Sequence, residues 1–372
     1  MRILAIDIGT GTQDILIFDS AQNVENCVKM VMPSPTAMVA QRVESATRDR
    51  QSLLLTGHTM GGGPSQWAIE RHLKAGLAVY ATEEAARTFD DHLENVERIG
   101  IKVVSVGEAG SLTGIERIEM RDLDLEAIQQ ALNAFGADAR YDAVAIAVFD
   151  HGAAPIEVSD RVFRFDHLRR CVERDNSLHT FGYFANEVPE YLTRMLSLVR
   201  SFPLDVPLML LDTAPAGAIG ALQDPHVAAH PERIILNLGN MHSTAFLLEG
   251  EAIQGLWEHH TGEVKLEAVE RLLDRLAEGT LTNQEVYASQ GHGAHIFHRL
   301  EGHPFLAVTG PRRSLMAASR LDHYFAAPHG DMMLSGCFGL IGCLSRKMPD
   351  WRDEIEVSLA SAPWQESHGH GH

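Results

Sequence analysis

A chain of 372 residues exceeds what one hydrophobic core usually serves, so two domains are expected. With 45% hydrophobic and 22% charged residues its composition is that of an ordinary globular protein. A formal charge of −19, which the 20 histidines would soften as pH falls, argues against a nucleic-acid binder, because a phosphate backbone needs a basic face. A small anion held by amides and a cation is not excluded by that charge.

Taken in chain order, Arg2–Ile8, Asp14–Asp19 and Asn26–Met32 read as strands closed by Pro33-Ser34-Pro35. A strand at Ser52–Thr56 runs into Gly57-His-Thr-Met-Gly61-Gly62-Gly63-Pro64, followed by a helical pattern from Ser65 to about Ala75. Leu77–Tyr80 and Ile101–Ser105 read as strands, and Glu83–Ile99 and Leu123–Phe135 as helices. Ala143–Phe149 is a compact apolar strand ending in Asp150-His151-Gly152, and Ser159–Pro203 is helical and arginine-rich. A second series follows: strand Pro207–Leu211, helix Pro215–Leu222, and strands Arg233–Leu238, Ser243–Leu248 and Ala252–Trp257. Helices are expected over Glu263–Glu278 and Asn283–His298, then a strand at Phe305–Thr309, with Asp331–Leu344 closing the chain. Strand–helix alternation begun by an antiparallel meander points to an α/β fold, divided into residues 1–203 and 204–372.

Asp7 breaks the first apolar run before a signal sequence could form, and no segment approaches the ~20 apolar residues of a membrane span. A cytoplasmic protein with no membrane partner is expected. Cys27, Cys171, Cys337 and Cys343 are scattered without a Cys-x-x-Cys pair, as free thiols are.

The most telling stretch is Asp7-Ile-Gly9-Thr10-Gly11-Thr12, a turn of small and hydroxylated residues between two strands. Amides and hydroxyls there can wrap phosphate oxygens, and a carboxylate at the strand end can hold a hydrated divalent cation. The bland alternative is a tight hairpin that needs glycine. Asn237-Leu-Gly239-Asn240-Met-His-Ser243-Thr244 repeats the same grammar, and two such hairpins can clamp a phosphate chain from both sides.

On these residues the chain resembles the actin, Hsp70 and sugar-kinase superfamily, the two hairpins matching its first and second phosphate loops. Asp212–Leu222 looks like its connecting helix, and Leu334-Ser-Gly336-Cys-Phe-Gly339 falls where the adenosine loop would. The resemblance implies two ribonuclease-H-like domains around an interdomain cleft that holds Mg-ATP. Asp7 would hold the magnesium. Gly9, Thr10, Gly11, Thr12, Gly239, Asn240, Ser243 and Thr244 would cradle the phosphates, with Gly310 and Gly336 on the adenosine side. The implied activity is phosphoryl transfer to, or ATP-coupled action on, a small metabolite. A nucleotide-sensing or activator protein is the alternative, since Asn237 stands where many relatives carry an acidic residue and Phe338 where they keep a small one. Some members of the narrower family that the chain resembles are labelled pyruvate formate-lyase activating enzyme-like. Radical activase chemistry needs Cys-x-x-x-Cys-x-x-Cys, and that triad is absent from this sequence.

Asp150 is the candidate general base with His151 as acid or orienter, against the plain reading of a turn cap. Gly57–Pro64 is either an anion site at a helix start or a flexible connection. Arg161, Arg164, Arg169 and Arg170 are either a substrate clamp or a solvated ion-pair face. Arg312 and Arg313, after Thr309-Gly310-Pro311, are better placed for a cleft. His259 and His260 would point to opposite faces of a strand, and His292, His295 and His298 would spread round a helix, so both groups read as surface or structural histidines. The tail histidines from His368 to His372 would bind nickel or zinc adventitiously.

Overall fold

Runs of alternating small and large apolar residues decide the architecture. The computed structural model describes residues 1–360, so the histidines of the tail lie outside the described residues. Among these, sixteen strands form in chain order: β1 (Arg2–Ile8), β2 (Thr12–Asp19), β3 (Val28–Pro33), β4 (Leu53–Gly57), β5 (Val79–Thr82), β6 (Lys102–Val104), β7 (Glu116–Met120), β8 (Ala143–Val148), β9 (Gly182–Phe184), β10 (Leu208–Leu211), β11 (Glu232–Leu238), β12 (His242–Glu249), β13 (Ala252–His260), β14 (Gly293–Ile296), β15 (Phe305–Thr309) and β16 (Tyr324–Phe325).

The first sheet has the order β3-β2-β1-β8-β10-β9 and the second β14-β13-β12-β11-β15-β16. In each, an antiparallel three-stranded meander is extended by two strands parallel to its first: β8 and β10 beyond β1, β15 and β16 beyond β11. That repeated order is the ribonuclease-H-like arrangement, present twice. The repeat is in register: Asp7 faces Asp14, and Asn237 faces Thr244, each 230 positions further on.

Side-chain size explains how the halves join. In β8, Ala143, Ala145 and Ala147 face one side while Val144, Ile146 and Val148 face the other. The alanine face receives two helices, Thr213–Ala221 and Ser335–Lys347, which cross each other between the sheets. Helix Thr213–Ala221 reads TAPAGAIGA, with eight of its nine residues buried, so it lacks a polar face and can exist only inside. A Cβ on Gly220 would lie 1.8 Å from the Ser335 carbonyl oxygen, and one on Gly339 1.8 Å from that of Ala216. The helices touch backbone to backbone because these positions carry no side chain.

Several expectations are revised. Leu208–Leu211 pairs with β8, so the fifth strand of the first sheet lies beyond residue 203, and helix Ser335–Lys347 returns to pack on β1 and β8. The division between the halves therefore does not follow residues 203/204. Strands β4 to β7 form a separate four-stranded parallel sheet, β6-β5-β4-β7, with its own core of residues between Val39 and Met120. Helix Pro35–Arg48 belongs to this insert, where only a turn was expected. The expected helix Asn283–His298 ends at Ala288, and Gly293–Ile296 instead pairs with β13 as an edge strand. No helix among the described residues is long and apolar enough to cross a membrane.

The helix crossing is testable. Gly220→Ala should destabilise the protein by roughly 1–3 kcal/mol or more, since backbone must move to admit the methyl. Gly110→Ala, at a helical position with nothing within 4 Å, should be neutral or mildly stabilising in the same denaturant titration. Equal midpoints for the two variants would refute this account of the crossing.

Candidate functional site

Both hairpin turns open into one cleft of about 530 Å³ between the halves. In the first, the Gly9 amide donates to the Thr12 carbonyl at 2.9 Å; in the second, the Gly239 amide donates to the His242 carbonyl at the same distance. The two turns approach closely, a Cβ on Gly11 falling 2.7 Å from Asn240 Nδ2. Gly9, Thr10, Thr12, Gly239, Asn240 and Thr244 line the cleft. Gly11 lies at the rim, outside that lining, and Ser243 points into the second domain, where its hydroxyl meets that of Thr261 at 2.9 Å. Alternation along β12 sends neighbouring side chains to opposite faces, which is why Thr244 and not Ser243 faces inward.

Asp7 stands at the floor. Its Oδ1 is buried without a hydrogen-bond partner, and Asp14 opposite has an Oδ1 in the same condition. Burial, then the nearby Asp14 and Asp212, hold the Asp7 carboxyl well above its usual range. Asp14 is pushed up to about 7, again chiefly by burial. Two neighbouring carboxylates, each with one buried oxygen that no donor meets, are suited to a divalent cation with oxygen ligands. Gly336 sits directly against Asp7, a Cβ there falling 1.9 Å from Oδ2, so it lines the carboxylate floor. Gly310 lies under the second loop beside Asn237 and Leu238. Phe338 is fully buried in the core beneath His329 and leaves the cleft open.

Asp150 lines the cleft, but both carboxylate oxygens are taken. Oδ1 accepts from the Gly152 amide and Oδ2 from the Met195 amide, each at 2.9 Å. Burial raises its pKa to about 6 against the pull of those amides. The side chain holds a turn, so its candidacy as general base is not supported by its bonding. Gly61, Gly62 and Gly63 of the insert form the opposite wall. Arg194 is fixed behind Gly61 by Asp122, with contacts of 2.7 and 2.8 Å.

The arginines divide differently from either expected reading. Arg164 is fully buried, contacts Asp212 at the start of the crossing helix, and reaches Glu258 on β13 at 3.0 and 3.2 Å. It is a structural cation. Arg161 stacks on Tyr287, whereas Arg169 pairs at the surface with Glu173 and Asp166. Pro311 reaches the cleft; Arg313 turns back toward the Gly310 carbonyl.

Sequence reasoning named His151, His260 and His292 singly but missed that they converge with His242. His151, His242 and His292 bring their ring nitrogens within 4.8 Å of one another, and His260 Nε2 lies 3.3 Å from His292 Nε2. They gather because the chain breaks after Ala288, turns through Gln290 at a positive φ, and lays His292 beside Glu258. The four belong to separate segments, so no spacing motif announced them.

A family model described as "Putative pyruvate format-lyase activating enzyme (DUF1786)" matches residues 60–315. The chain belongs to this family. Its fold, from the sheet order above, is that of the actin, Hsp70 and sugar-kinase superfamily. No curated protein matches the sequence. Among solved structures, the chain is similar to ethanolamine utilization protein EutJ from Carboxydothermus hydrogenoformans: 9% identity, 91% of this chain and 89% of that one covered, TM-score 0.27. It is also similar to ROK hexokinase from Thermus thermophilus: 14% identity, 94% and 100% covered, TM-score 0.31. The psk41 ParM protein matches at 11% identity, with 95% and 99% covered and a TM-score of 0.33. At such scores the likenesses carry no weight beyond their mention. The four cysteines are buried and do not converge; the sole metal-type cluster among the described residues is the histidine group.

The carboxylate floor makes a prediction about pH. Asp14 titrates near 7 in the fold and near 3.8 when unfolded, so the folded state binds the extra proton and loses stability as pH rises between those values. Asp14→Asn should therefore stabilise the cation-free protein by on the order of 1–3 kcal/mol at pH 8, the gain shrinking toward pH 4. Millimolar magnesium should narrow the difference. An Asp14→Asn gain that grew on acidification would contradict the assignment.

Proposed function

We propose that the protein binds Mg-ATP in the interdomain cleft and uses it for phosphoryl transfer to, or ATP-coupled action on, a small metabolite. The observation that carries this reading is the pairing of the two turns. Equivalent in register and drawn from opposite halves, they face each other above two carboxylates that each leave one buried oxygen without a partner. Asp7, with Asp14 beside it, would hold the magnesium, which supplies charge neutralisation for the phosphates. Amides and hydroxyls of Thr10, Thr12, Asn240 and Thr244 would cradle the phosphate oxygens. The insert wall, with Gly61–Gly63 and Trp67, is the side left for the second substrate.

A second reading, a nucleotide sensor that closes without much turnover, is favoured by two observations. Asn237 replaces a carboxylate in the second turn, and both Asp150 oxygens are occupied. Cluster-based radical activation, which the family description suggests, finds no support in the cysteine positions.

Titration calorimetry should detect Mg-ATP or Mg-ADP with a dissociation constant in the micromolar range, about −8 kcal/mol. Asp7→Asn should weaken the magnesium-dependent part at least tenfold. Absence of heat with either nucleotide removes both readings. Tight binding with phosphate release at background selects the sensor.

A further inference from the structure

We propose that His151, His242 and His292 form a binding site for one zinc-like divalent transition-metal ion at the seam between the domains, with His260 bordering its remaining coordination position. The site is nitrogen-only and so distinct from the oxygen-lined floor at Asp7 and Asp14. It rests on the histidine geometry and not on nucleotide binding.

Position comes first. His151 follows β8 of the first domain, His242 opens β12 of the second, and His292 precedes β14. Two nitrogens on one tetrahedral zinc, at Zn–N distances of 2.0–2.1 Å, stand about 3.4 Å apart. One ligand nitrogen from each of His151, His242 and His292 lies within 4.8 Å of the others, and His260 Nε2 stands 3.3 Å from His292 Nε2, so ring rotations would bring the three to ligand spacing.

Chemistry comes second. His292 Nδ1 lies 2.5 Å from Glu258 Oε1 and is the natural donor to that carboxylate. The proton on Nδ1 leaves the lone pair on Nε2, which points into the cluster. Glu258 is buried with Arg164 on both of its oxygens, at 3.2 and 3.0 Å, so the guanidinium balances its charge while Oε1 still accepts from His292. A carboxylate that orients a histidine whose other nitrogen faces an ion is the common outer-shell device of metal sites.

An unmet bonding capacity is the third observation. His242 Nε2 is buried and has no hydrogen-bond partner, and Phe149 stacks on that ring at 4.0 Å, fixing its plane. Nitrogen ligands without carboxylates favour zinc, cobalt, nickel or copper over magnesium or calcium. Since His151 comes from one domain and the others from its neighbour, the ion would also tie the cleft at its inner end.

The test uses the full chain with His368, His370 and His372 replaced by alanine, removing adventitious binding by the tail. After chelation and dialysis, titration with zinc chloride alone should give about one equivalent bound, and cobalt chloride should give the intense visible absorption of a tetrahedral nitrogen site. His151→Ala, whose ring faces the open cleft, and His242→Ala should each weaken zinc at least as much as the roughly 10–100-fold typical of an outer-shell change. Asp7→Asn should leave zinc affinity where it was, so failure of nucleotide binding and failure of this site are read separately. No retained zinc once the tail histidines are gone, or undiminished affinity in His151→Ala and His242→Ala, would overturn the proposal.

Discussion

The buried ion chain centred on Arg164 is the constraint on which the rest of the molecule depends. One guanidinium joins Asp212, at the N-terminus of the crossing helix, to Glu258 on the central meander of the second sheet, and its plane rests 4.2 Å from the Phe149 ring centre. All three charges are out of water. Such a group contributes little net stability compared with apolar packing, yet losing one partner leaves an uncompensated buried charge at a cost of about 3–5 kcal/mol. What it supplies here is position. Asp212 fixes where the helix starts through the Ala214 amide, Glu258 fixes the tautomer of His292, and Phe149 fixes the plane of His242. The inner end of the cleft is therefore set by one arginine.

Above that bolt, an internal repeat has diverged in charge while keeping its backbone. Asp7 and Asp14 in the first turn correspond in register to Asn237 and Thr244 in the second, and Thr12 corresponds to His242. The first half has kept oxygen donors that repel one another when empty. The second has exchanged them for an amide, a hydroxyl and an imidazole. A single cleft thus offers carboxylate oxygens on one side and imidazole nitrogens on the other, which suit different ligands without competing for them.

How much of this was legible follows from the range of each signal. The meanders, both hairpin turns and the small-residue helix Thr213–Ala221 depend on alternation or composition within about ten residues, and they read directly. Helix Pro35–Arg48 was equally local: Thr36, Val39, Ala40, Val43 and Ala46 lie on one face behind a Ser34 cap. It was passed over because two prolines suggested only a turn. Parallel pairing has no such local signature, so the insert sheet and the membership of β10 in the first sheet became visible only in the fold. The helical reading of Asn283–His298 ran through Gly291 and Gly293, where the chain in fact turns and becomes a strand. That error hid His292.

The histidine cluster shows why chemistry at a domain seam escapes motif reading. His151 stood out only as an acid or orienter and His242 only as part of the second turn, while His260 and His292 were discounted by sound arguments about strand and helix periodicity. Those arguments concern neighbours along one element, whereas these rings meet across four. What unites them is electrostatic. Burial and the neighbouring imidazoles lower His242 and His260, and Glu258 bonds Arg164 and His292 together. A buried His242 Nε2 with no hydrogen-bond partner is costly unless something meets it. At the other end of the cleft Asp7 and Asp14 each leave one buried carboxylate oxygen without a partner, so the two ends meet the same constraint with opposite chemistry, oxygen there and imidazole nitrogen here.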